Sequence, residues 1–217
     1  MAVAHCAYLF NVENYRATIR PVVPHLVAND FSNLHTLAKQ VSTDKPQIWS
    51  MLAQHRLFLE DFECEEPYYS FESQVNFWMV IVMSAFWQPI ATPVGYVRSM
   101  QAAMQLAGAS EDIGIELTVG KTTCALLQPQ LVVDPIKQQR DKSWPFWSYG
   151  HGGGWLEISD IDLLLSRLMS LSGFFSGIDF KAENGLEVQP ATAYRSAVQM
   201  LSAVQRSKQG LFLSIVD

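Results

Sequence analysis

A chain of 217 residues, 49% hydrophobic and 17% charged, is long enough to bury a core without staples, since about 70% of its extended surface can be covered at this size. That composition excludes a disordered chain, a coiled coil and a collagen. Three cysteines do not make the closed framework of a small disulfide scaffold, and a formal net charge of −6 argues against a general nucleic-acid binder, which needs a basic surface.

In chain order, residues 3–10 read as a strand that is apolar on both faces apart from His5. Asn11 is placed to cap a helix running to Arg20, which Pro21 and Pro24 then end. Residues 31–41 carry Leu34, Leu37 and Val41 at helical spacing, with Asp30 as the N-cap. Pro46 opens a third helix with the stripe Ile48, Met51, Leu52, His55 and Leu59. The run VNFWMVIVMSAFW (75–87) is the most apolar in the chain. It is too short for a bilayer span, which needs about 20 such residues, and reads as a buried core element.

Residues 95–107 form an amphipathic stretch stopped by Gly108. Residues 113–119 alternate apolar and polar, which predicts a half-buried strand with Ile113, Ile115, Leu117 and Val119 on one face. Residues 134–143 are polar and predict a loop. Ser159 is placed to cap a helix running to about Leu171. Pro190 opens the last helix, whose core face carries Tyr194, Ala197, Val198, Leu201 and Val204. Gly210 is placed to terminate it. Residues 211–216 then predict a short central strand, apolar on both faces except at Ser214.

No repeat, low-complexity stretch or Pro/Gly/Ser linker interrupts the chain, so residues 1–217 read as a single α+β domain. Its small mixed sheet holds both terminal strands and is covered by several helices. The C-terminal third orders a helix (IDLLLSRL), a spacer with aromatic residues, a helix (YRSAVQMLSAVQ), a glycine and a terminal strand (GLFLSIV). In that order of apolar positions it resembles the YfbM-like bacterial proteins of unknown function. The resemblance implies a fold class and no chemistry.

Complete catalytic signatures are missing from the sequence. HGGGW (151–155) looks like the stretch that supplies oxyanion amides in lipase-like hydrolases, but no G-x-S-x-G and no histidine follow it. GKTT (120–123) lacks the first glycine of a phosphate-binding loop at the required spacing. The five histidines and three cysteines show no zinc-finger, H-x-x-x-H or E-x-x-H spacing, so no metal and no cofactor are expected. Cys64 lies between Glu63 and Glu65, which disfavour its thiolate.

Two stretches remain as candidates. Residues 60–72, EDFECEEPYYSFE, hold six acidic and no basic residues, and the other 15 acids balance the 15 lysines and arginines. The entire net charge therefore comes from this segment. Glu63, Glu65 and Glu66 beside Tyr68 and Tyr69 suit a surface for a basic protein partner, because charge steers encounter and tyrosine supplies contact energy. The alternative is a small-molecule or enzymatic pocket built from Trp144, Trp147, Tyr149, His151 and Trp155, with the glycines opening backbone amides to a ligand. A third reading takes the glycines as a turn and Trp155 as core. The first reading leads: a non-catalytic binding protein, cytoplasmic because the cysteine count is odd and the N-terminus lacks a basic region followed by a long apolar stretch.

Overall fold

The computed structural model describes residues 4–28, 30–54, 71–90, 97–109, 113, 117, 122–123, 153–176 and 189–216. Their architecture is α+β. The chain packs as two compact units. One comprises Met1–Phe10, Gln88–Thr122 and Gly153–Asp217, the other Asn11–Trp87 and Thr123–Gly152.

The first unit is built on a sheet of order β2-β1-β5-β4-β3. Its strands are β1 (Ala4–Phe10), β2 (Trp87–Pro89), β3 (Thr122–Thr123), β4 (Gly153–Leu156) and β5 (Gly210–Val216). β1 and β5 are therefore both interior strands of the sheet, as their two-sided apolar pattern requires. β5 pairs antiparallel with β1 on one side and with β4 on the other.

The register explains the pattern. Leu9, Leu211 and Leu156 form one row across the three strands, and Tyr8, Phe212 and Trp155 form the next. Successive side chains alternate faces, so one face is aliphatic and the other aromatic. On the aliphatic side Leu156, Leu211 and Leu213 join a core with three helices, α6 (Val97–Leu106), α7 (Ile158–Ser170) and α9 (Pro190–Ser207). Helix α7 contributes Ile161, Leu164, Leu165 and Leu168, and α9 contributes Tyr194, Ala197, Met200, Leu201 and Val204. The Tyr194 hydroxyl donates to the Leu168 carbonyl at 2.9 Å, closing the C-terminal turn of α7. Its ring stacks on Phe175 of the short helix α8 (Ser172–Ser176), with centroids 4.1 Å apart.

On the aromatic side Phe10, Phe212 and Trp155 are each fully buried. Phe10 meets Trp155 edge-on at 5.4 Å between centroids. Their strands are separated by β5, so the backbones are roughly 9.5 Å apart. The rings meet because the β5 residue opposite Phe10 is Gly210, which puts no side chain in the way.

The second unit is helical: α1 (Val12–Ile19), α2 (Val23–Val27), α3 (Ser32–Asp44), α4 (Ile48–Gln54) and α5 (Phe71–Ser84). Asn11 caps α1 as expected, its side chain accepting from the Asn14 amide at 3.0 Å. Asp30 accepts from both the amide and the hydroxyl of Ser32 at the start of α3. Those bonds, led by the hydroxyl, hold its carboxyl below the ordinary aspartate range. The apolar run forms most of α5, and residues 79–84 are all buried, as a helix apolar on all sides must be. Among the described residues no helix is long and apolar enough to cross a membrane.

Four local expectations are corrected. Pro21 and Pro24 were read only as a stop, but Pro24 lies in the first turn of α2, where a missing N–H costs nothing. Ile113 and Leu117 are helical and buried, not on a strand; a spacing of four satisfies a helical stripe as well as strict alternation. Helix α7 starts after Glu157 rather than Ser159, and Asp160 reaches back to accept from the Glu157 amide at 3.3 Å. Helix α9 is ended by Lys208, which adopts φ +54°, while Gly210 belongs to β5. Gly108 does end α6, at φ +62°.

Two substitutions test this account. Gly210→Val places a branched side chain between Phe10 and Trp155 and should destabilise by about 1–3 kcal/mol through overpacking; a variant as stable as the parent in urea would show that Phe10 does not depend on that gap. Lys208→Gly removes the left-handed strain at the α9 terminus and should raise stability by about 0.5–1 kcal/mol. A lowered melting temperature for that variant would contradict the left-handed cap.

Candidate functional site

The acidic segment, residues 60–72, follows α4 in the sequence, and its last two residues, Phe71 and Glu72, begin α5. Glu63, Glu65, Glu66, Tyr68 and Tyr69 lie outside the described residues, whereas α4 and α5 are packed by apolar side chains. Helix α4 buries Ile48, Met51 and Leu52, and α5 buries Val75, Phe77 and the stretch 79–84. Helices α3 and α4 both pack on α5.

The far end of α5 is closed by groups distant in sequence. The Lys45 ammonium donates to the Ala85 carbonyl at 3.1 Å and stands 5.2 Å from the centre of the Phe86 ring. The Asn11 amide donates to the Phe86 carbonyl at 3.2 Å. Carbonyls beyond a helix C-terminus need such partners, and a cation there also complements the helix dipole. The spacing of residues 31–46 gave no sign of this role for Lys45.

His35 of α3 lies against Trp78 of α5 with ring centres 4.6 Å apart. Burial, and then the Lys39 charge one turn away, hold its pKa below the ordinary histidine value of 6.5. His25 Nδ1 lies 3.3 Å from Asp30 Oδ2 at an exposed site. His35 thus pairs with a ring and His25 with a carboxylate. Among the described residues no three His, Cys, Asp or Glu side chains gather as metal ligands would.

Cys6 and Tyr8 are two apart on β1 and share a face, as strand alternation dictates. Burial pushes the Cys6 thiol up, partly offset by a hydrogen bond with Tyr8. Burial and the adjacent thiol push the Tyr8 hydroxyl above the ordinary tyrosine range. A thiol shifted in that direction carries little thiolate at neutral pH, the reverse of an activated nucleophile.

Of the aromatic and glycine-rich stretch, Trp144, Trp147, Tyr149 and His151 lie outside the described residues. Trp155 takes the core role: it is fully buried, against Phe10. Gly153 and Gly154 are not a turn. They belong to β4 and pair with Ser214 and Leu213 of β5. No protein family, curated protein or solved structure matches the chain.

Trp155→Ala should cost about 3–5 kcal/mol, the usual range for truncating a buried tryptophan; a loss below about 1 kcal/mol in denaturant titrations would remove Trp155 from the core. His35 yields a pH test. Its folded pKa is depressed, so the folded state disfavours the imidazolium. The resulting stability is complete above pH ~6.5 and is lost as pH falls below that value through the folded-state pKa. The melting temperature of the parent should therefore fall more between about pH 7.5 and pH 5 than that of His35→Phe, which keeps a ring against Trp78. Parallel curves for the two proteins would contradict the burial effect.

Proposed function

We propose that this chain is a non-catalytic, cytoplasmic binding protein that meets a basic protein partner through residues 60–72. Glu63, Glu65 and Glu66 steer the encounter, and Tyr68 and Tyr69 supply the contact energy. The observation that carries this reading is the charge distribution: six acids and no base in 13 residues account for the whole net charge of −6. Such a concentration creates a local field that raises association rates and weakens with salt. Two further features support it. Its last residues, Phe71 and Glu72, begin α5, a helix packed by buried apolar side chains, and an anchored end lowers the ordering cost of binding. The Cys6 thiol, pushed up by burial, is a poor candidate for covalent chemistry. The YfbM-like pattern of the C-terminal third adds no chemistry to this proposal.

The test uses the intact chain as bait, with bound proteins identified by mass and their kinetics measured after purification. A basic protein should be captured at low ionic strength and released near 1 M salt, where the screening length is about 3 Å. Glu63→Gln, Glu65→Gln and Glu66→Gln combined should slow association with little change in melting temperature. Tyr68→Ala or Tyr69→Ala should speed dissociation, with a loss of about 2 kcal/mol or more if the ring is a hot spot. Tyrosine variants that melt early while partner kinetics stay unchanged would overturn the proposal, as would partners whose binding ignores the three glutamines. Stabilisation by a small metabolite that Trp147→Ala abolishes would instead favour the pocket at 144–155.

A further inference from the structure

We draw no further inference here: the strongest candidate, the row of small residues Cys6, Ser214 and Gly153 that crosses the sheet beside the Tyr8–Phe212–Trp155 row, is a small-residue stripe with no second observation that points to a ligand.

Discussion

The sheet depends on a vacancy at one register position. β5 has neighbours on both edges and apolar rows on both faces, so each of its residues must satisfy four constraints at once. Opposite Phe10 it does so with a glycine. The ring of Phe10 leans over that position to reach Trp155, and a contact between strands that are not neighbours ties β1 to β4 through side chains. Edge-to-face pairs of this kind add about 0.5–1.5 kcal/mol beyond burial. The opposite face is filled differently. There, aliphatic rows receive the stripes of α7 and α9, and the Tyr194 hydroxyl donates to the Leu168 carbonyl of α7.

The helical unit answers a different constraint. A helix as apolar as α5 has no solvent face to offer, so its neighbours must cover it and the carbonyls just beyond its last residue must be satisfied from outside. Lys45 does this from just before α4 and Asn11 from just before α1. Lys45 places an ammonium beside an otherwise apolar helix end, and its charge stands over the ring of Phe86, an arrangement that suits a cation on an aromatic face. The last two residues of the acidic segment, Phe71 and Glu72, are the first two of the same helix, whose residues 79–84 are all buried.

Much of this was legible in the residues because it follows local rules. Two-sided apolar strands at both ends identified β1 and β5 as interior. Asn11, Gly108 and Pro190 acted where cap and breaker chemistry places them, and the stripe 161, 164, 165, 168 marked α7. What escaped was decided by tertiary context. Ile113 and Leu117 fit either period, and burial selected the helix. Lys208 rather than Gly210 took the left-handed position, because the glycine was required two residues later in the sheet. Gly153 and Gly154 looked like a turn or an amide cradle, yet strand pairing with β5 uses their backbone groups. At the candidate site, only the charge asymmetry was readable, since a sequence gives the sign and density of charge directly but not which side chains share a surface. Neither the Cys6–Tyr8 hydrogen bond nor the His35–Trp78 contact has a motif, although the first follows from alternation along one strand.

The pairing of β1 with β5 also fixes a temporal order. Tyr8 is synthesised well before its register partner Phe212. At ribosomal speeds of ~5–20 residues per second, some 200 residues of separation correspond to roughly 10–40 s. Throughout that interval β1 exists without the strand that covers one of its edges, and its aromatic and aliphatic faces lack the rows contributed by β4 and β5. Helices α3 and α4, which pack on α5, are separated from it by far fewer residues. The nascent chain thus carries β1 without its β5 partner until β5 emerges, a period in which sheet-forming edges are most exposed to neighbouring chains.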